Sequence, residues 1–190
     1  MHRTLIRLSL GIAFVVAAGC SSYERYPSGK TRFTFKGKAV LIAAQDRVSA
    51  TPAVEALYRS AAGDKAGSIH VLPLMPAPAL ELPVTAARLG LDKSGTKDLD
   101  PMAQLALNAT LKAGNKFGVK FDYIIFVTAE KAGAVGPVTN VDHYAALYQI
   151  STKRVIAAAK DTGTTTAETA AEKLPLGARR VVSLLLDGDY

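Results

Sequence analysis

Apolar residues recur along this chain with the period of strands in some stretches and of helices in others. Their order predicts a single α/β domain built on a mixed sheet. Arg32-Phe33-Thr34-Phe35 alternates polar and aromatic positions, and after Gly37 the run from Ala39 to Ala44 is apolar throughout, as in a strand covered on both faces. Thr51-Pro52 has the form of a cap followed by proline at the first helical position. Val54, Leu57, Tyr58 and Ala61 then fall at helical spacing, and Gly63 supplies the stop. Ser68 to Leu74 reads as a further strand. Asp100-Pro101 opens a second helix that runs to Gly114. Met102, Leu105 and Ala109 mark one of its faces and Leu107 and Leu111 lie nearly opposite, which predicts cover on more than one side.

Asp122 to Thr128 is the clearest strand in the chain. Gly133, Gly136 and Pro137 predict a loop, followed by a strand from about His143 to Ile150. Thr152-Lys153 turns that strand into a third, Arg154 to Ala159, to give a C-terminal antiparallel hairpin. Thr165-Thr166-Ala167-Glu168 has the form of a capping box. Ala171, Leu174, Ala178, Val181, Val182 and Leu185 then follow one stripe across Pro175 and Gly177, which predicts a third main helix with a kink.

Between Met75 and Asp100 the periodicity breaks, with Pro76, Pro78, Pro83, Gly90 and Gly95. Structureless loops of that length are uncommon in a domain, so short elements are expected inside it. Leu80, Leu82 and Val84 alternate, as in a brief edge strand where Pro83 is tolerated, and Ala86 to Leu89 suits one helical turn. If exposed, Leu80, Leu82 and Val84 form a candidate partner surface, because neighbouring prolines lower the entropy cost of holding one shape for a partner. If folded back, they complete the core.

The first residues change the picture from a fold to an address. Met1 to Arg7 carries Arg3 and Arg7 and no acid, and Leu8 to Ala18 is an apolar run broken only by Ser9 and Gly11. That run is too short to cross a bilayer as a stable helix and suits the apolar core of a secretory signal. Small residues lead to Cys20, the only cysteine in the chain. Ala17-Ala18-Gly19-Cys20 resembles the lipobox of bacterial lipoproteins. The resemblance implies cleavage between Gly19 and Cys20, with acyl chains of the palmitate kind on Cys20. More than one chain is needed for firm anchoring, at roughly 0.8 kcal/mol per buried CH₂. Ser21 stands where an aspartate would imply retention at the inner membrane, so the expected address is the periplasmic face of the outer membrane. Residues 1–19 are thus expected to be the signal, 20–31 a lipidated tether rich in Ser, Pro and Gly, and 32–190 the single domain.

Charge adds little. Loss of Arg3 and Arg7 takes the net charge from +7 to +5, and the bases are spread along the chain without a nucleic-acid-binding motif. No nucleic-acid partner is expected. With Cys20 the lone cysteine, the fold has no internal disulfide and rests on packing.

Catalytic chemistry finds few residues. The mature chain holds only His70 and His143, neither with a second ligand at zinc spacing, so no metal is expected. Asp142-His143 suggests an oriented base, but no Gly-x-Ser-x-Gly elbow accompanies it, and neighbours on a strand point to opposite faces. Gly29-Lys30-Thr31 ends like a phosphate-binding loop, but Glu24 occupies the position of that motif's first glycine. Tyr144, Tyr148 and Ile150 share one strand face, which suits ligand binding or, more simply, packing against the last helix. No cofactor is expected, and the chain reads as non-enzymatic.

From about Phe121 to Asp187, a strand reading Asp122-Tyr123-Ile124-Ile125-Phe126-Val127, a hairpin turning at Thr152-Lys153 and a capped Ala-rich helix resemble the second half of several envelope lipoproteins. These include the curli secretion lipoproteins and the lipoprotein activators of penicillin-binding proteins. The resemblance implies a small α/β domain that binds a protein partner in envelope assembly or maintenance. It carries over no functional residue. Periplasmic binding of a ligand or glycan is the alternative.

Overall fold

The computed structural model describes residues 22–27, 33, 35–45, 52–62, 66–72, 81–92 and 99–187. Six strands form one mixed sheet: β1 (Ser22–Tyr26), β2 (Phe35–Ala44), β3 (Ala66–Leu72), β4 (Tyr123–Val135), β5 (Val138–Gln149) and β6 (Arg154–Thr165). Their spatial order is β1-β6-β5-β4-β2-β3. The pair β2–β3 and the pair β2–β4 are parallel; every other neighbouring pair is antiparallel. Helices α1 (Pro52–Ala62) and α4 (Ala170–Asp187) cover one face, while α2 (Leu82–Leu91) and α3 (Pro101–Gly114) cover the other. The sheet is therefore the middle of three layers, which agrees with the α/β reading.

Each face has its own core. On the α1/α4 face, Val40, Ile42, Ile125, Val127 and Leu147 meet Val54 and Tyr58 of α1 and Val181, Val182 and Leu185 of α4. On the α2/α3 face, Leu41, Ala43, Ile124, Phe126 and Tyr148 meet Leu82, Ala86 and Ala87 of α2 and Ala103, Ala106 and Leu107 of α3. The alternation along β2, β4 and β5 divides these sets, and covering both faces explains the unbroken apolar runs Ala39 to Ala44 and Tyr123 to Val127 within β2 and β4.

The structure corrects several boundaries. Residues 22–26 are not tether: Ser22 to Tyr26 pair with Thr162 to Ala158 as an edge strand. Gly37 does not separate two strands but sits within β2 at φ 71°, where the register against β3 shifts between Phe35 and Ala39. The loop expected at Gly133 is strand, and only Gly136-Pro137 turns, with Gly136 at φ 58° in the region that favours glycine. Leu82 and Val84 do not alternate along an edge strand. They are buried on α2, a fourth helix with Pro83 in its first turn, where a missing N–H costs no helical bond. Leu80, like Gly19 and Cys20, lies outside the described residues.

Helix α3 begins as its sequence predicts, with Asp100 accepting a hydrogen bond from the Ala103 amide at 2.8 Å ahead of Pro101. Its cover is one-sided, however. Ala103, Ala106, Leu107 and Thr110 are buried, whereas Met102 and Leu105 are 74% and 59% exposed. For α4 the reciprocal cap is one residue later than expected. The Thr166 amide donates to Thr169 Oγ1 at 3.0 Å and the Thr169 amide to Thr166 Oγ1 at 3.4 Å. Thr165 is unavailable as the cap because β6 holds it opposite Thr139. Helix α4 then runs through Pro175 and Gly177 as one element.

Candidate functional site

A cleft of about 740 Å³ lies between the N-terminal half of α4 and the outer ends of β5 and β6. The register of the hairpin builds its floor. His143 and Asp161 are cross-strand partners, so their side chains leave the same face of the sheet, toward α4. Both are buried. Arg180, from α4, closes the arrangement by donating from Nη2 to Asp161 Oδ1 at 3.1 Å. Lys173, Leu176 and Arg179 add two cations and an apolar edge to the walls.

Helix α4 can approach this floor because residue 177 is glycine. A Cβ there would overlap the imidazole of His143, so Gly177 and His143 are fitted to each other. The glycine that looked like a helix interruption is therefore a packing requirement of the cleft.

The Asp161 carboxyl lies above the ordinary carboxylate range, because burial disfavours its charge and the Arg180 guanidinium only partly offsets that. Its side chain is 4% exposed, against 42% for Arg180. Oδ2 of Asp161 is buried with no hydrogen bond among the described residues. The floor thus presents one acceptor oxygen with spare capacity, beside a guanidinium that is bonded to Asp161 and partly exposed to solvent. Such a set can hold a ligand with an acidic group and hydroxyls: Arg180, Arg179 and Lys173 for the charge, Asp161 for a hydroxyl proton.

A second polar cluster lies on the opposite face, one residue out of step. Asp142 accepts from Lys160 Nζ at 2.9 Å, from Thr162 Oγ1 at 2.7 Å and from the Tyr144 hydroxyl at 3.3 Å. Burial alone would raise the Asp142 carboxyl, but the bonds from Lys160, Thr162 and Tyr144, with the Lys160 charge, hold it below its usual value. The Lys160 ammonium is raised by the same bond against its own burial, and it lies 5.6 Å from the centre of the Tyr144 ring. With its acceptor oxygens taken, this cluster reads as a structural clasp.

Adjacent Asp142 and His143 thus face opposite layers, as strand geometry requires, and do not form a catalytic pair. Tyr144 and Tyr148 pack on the α2/α3 face, not against α4 as expected; the last helix instead covers the side holding His143, Ala145 and Leu147. His70 stacks at 5.0 Å on Phe117 and 5.7 Å from Phe121, far along the sheet from His143. Among the described residues no three metal-ligating side chains come together, and no helix is long and apolar enough to cross a membrane. Of the candidate partner surface, Leu82 and Val84 are core residues. Sequence reasoning missed Asp161 and Arg180 altogether. Their only signal was an aspartate on the strand that follows the His143 strand and an arginine within the last helix.

No family model and no curated protein matches the chain. Among solved structures it is similar to a variant of the PelC dodecamer from Paraburkholderia phytofirmans, at 14% identity and a TM-score of 0.45, covering 88% of this chain and 99% of that one. A second crystal form of that dodecamer gives 13% identity and 0.44, over 88% and 98% of the two chains. Protein XCC0632 from Xanthomonas campestris gives 12% identity and 0.39, over 84% and 91%. Likenesses this distant carry no functional argument.

Proposed function

We propose that this chain is a lipoprotein of the bacterial envelope, anchored through Cys20 at the periplasmic face of the outer membrane, and that its domain binds a ligand without catalysis. The ligand class is acidic and hydroxyl-bearing, such as an oligosaccharide of uronic acids. One observation carries this reading: the buried Asp161, ion-paired to a half-exposed Arg180 at the floor of the cleft, keeps an acceptor oxygen without a hydrogen bond. A pair of this kind contributes little net stability, since desolvation offsets its attraction.

Calorimetric titration with uronic-acid, neutral and amino-sugar oligomers tests it. The acidic oligomers are expected to bind, with affinity falling at least about tenfold in Arg180→Ala, the equivalent of about 1.4 kcal/mol. Lys160→Ala, on the other face, is expected to leave binding unchanged. Equal affinity for the three classes, or no effect of Arg180→Ala, would sink the reading. Mass spectrometry tests the anchor: the mature N-terminus is expected at an acylated Cys20.

A protein partner is the second reading. Met102 and Leu105 favour it, because two large apolar side chains near each other on α3 face outward. Met102→Glu with Leu105→Glu is expected to abolish such binding while the melting temperature stays nearly unchanged.

A further inference from the structure

We infer that the tip of the β4–β5 hairpin is a membrane-contacting element, seated in the lipid surface to which Cys20 is attached; the inference rests on the reading of Cys20 as the acylated residue.

The tip is unusual in composition. Ala132-Gly133-Ala134-Val135-Gly136-Pro137-Val138 has no charged side chain and no hydrogen-bonding side chain. Turns favour Gly, Pro, Asn, Asp and Ser, and this one uses only the two that have no polar side chain. Here Val135 is 78% exposed and Val138 37%, with Ala132, Ala134 and Pro137 also exposed. Lys131 precedes the tip at its base, as a cation suited to the headgroup layer.

Register sets the tip beside the anchor. Ser22 pairs with Thr162, Thr162 with Asp142, and Asp142 with Glu130, which makes one row across β1, β6, β5 and β4. From that row the N-terminal direction of β1 and the turn of the β4–β5 hairpin point the same way, because the intervening pairs are all antiparallel. Cys20 precedes Ser22 by two residues, a reach of at most about 7 Å. Val138 lies four residues beyond Asp142, or about 14 Å along the strand. With its strands directed at the bilayer, the tip overshoots the anchor by about 7 Å, close to the depth of one headgroup layer. An acylated cysteine sits at that layer, so the tip reaches the boundary of the acyl chains. The short span between Cys20 and β1 keeps the tip within reach of the surface to which Cys20 is attached.

The test uses the full-length chain, expressed in a bacterium that processes lipoproteins, with the mature product reconstituted into vesicles of phosphatidylethanolamine and phosphatidylglycerol. Val135→Cys and Ser151→Cys each carry an environment-sensitive fluorophore, Ser151 standing in the exposed β5–β6 turn at the other end of the sheet. Acylation leaves Cys20 without a free thiol. The label at 135 is expected to shift to the blue and to lose most of its intensity to a lipid-borne quencher, while the label at 151 responds only to aqueous iodide. Iodide quenching at 135 equal to that at 151, with the acyl mass present on Cys20, overturns the inference and leaves the anchor standing. Protection from iodide at 135 without quenching by lipid also overturns it, in favour of a protein at the tip. Absence of the acyl mass overturns the anchor reading, and this inference with it.

Discussion

The two faces of the sheet handle the same problem, a buried aspartate near the outer end of the hairpin, in opposite ways. Asp142 on the α2/α3 face receives three hydrogen bonds, one from an ammonium, and its carboxyl is held below the ordinary range. Asp161 on the α4 face receives one from Arg180, and burial pushes its carboxyl up. The two belong to neighbouring strands and to adjacent rows of one ladder. Both causes run the same way: Asp161 is the more deeply buried of the two and also has fewer donors aimed at its carboxylate. The saturated cluster is a fastening, and the undersupplied one opens onto a cleft.

Each face also brings its helix down on a glycine, and there too the faces differ. A Cβ on Gly90 of α2 would come within 2.5 Å of Ala158 Cβ and 3.0 Å of Val155 Cγ1, neither of which can swing aside. A Cβ on Gly177 of α4 would meet the His143 ring, which borders open space. Gly90→Ala is therefore the largest expected effect, a loss of about 3 kcal/mol in urea unfolding, and His143→Ala should not relieve it. Gly177→Ala should cost about 1–2 kcal/mol, most of it recovered when combined with His143→Ala. Equal costs without recovery would mean that the cleft floor is as rigid as the opposite core.

Removing the cations sharpens the contrast on a smaller scale. Lys160→Ala deprives Asp142 of its strongest partner and is expected to cost about 1–2 kcal/mol at neutral pH. Arg180→Ala should cost under about 1 kcal/mol, since Arg180 is partly exposed and solvent screens its attraction to Asp161. The reverse ranking would show the α4 pair to be the tighter fastening.

The smallest effects lie in pH dependence, and their signs are opposite. Asp142, with its folded value lowered, contributes stability above the ordinary aspartate pKa of about 3.9, and that contribution is lost as pH falls through the folded value. Asp161, with its folded value raised, favours the folded state while protonated, and that advantage is lost as pH rises from about 3.9 through the folded value. Asp142→Asn should therefore flatten the rise of stability with pH on the acid side, and Asp161→Asn should steepen it. Denaturant midpoints measured across the acid range distinguish the two, and a shift of the same sign in both variants would contradict the comparison.

The layered fold was legible because Ala39 to Ala44 of β2 and Tyr123 to Val127 of β4 are unbroken apolar runs, and α3 because Asp100-Pro101 is a local signal needing no tertiary partner. The lengths of β4, β5 and β6 were not legible. Gly133, Gly136 and Gly163 look like loop residues unless cross-strand pairing is known, and it is pairing that carries the strands out to Val135, Val138 and Thr165. The sequence of α2 alternated by accident of composition: Leu82 and Val84 both reach the core because the small Ala86, Ala87 and Gly90 let the helix lie close to the sheet. The cleft was hidden for a different reason. Asp161 and Arg180 meet only when α4 packs across β6, and no spacing along the chain encodes that meeting. His143 was visible as a residue, yet its partner was sought beside it in sequence when it stood across the ladder.

The edge strand β1 also orders events in time. Its only partner among the described strands is β6, close to the chain's other end. Ser22 to Tyr26 cannot be knitted into the sheet until β6 has emerged, and closing so distant a contact comes late in folding. On the anchoring reading, the enzymes that acylate and cleave at Cys20 meet a stretch of backbone with its hydrogen bonds still open to them. On that reading, maturation precedes the step that pairs Ser22 to Tyr26 into the sheet.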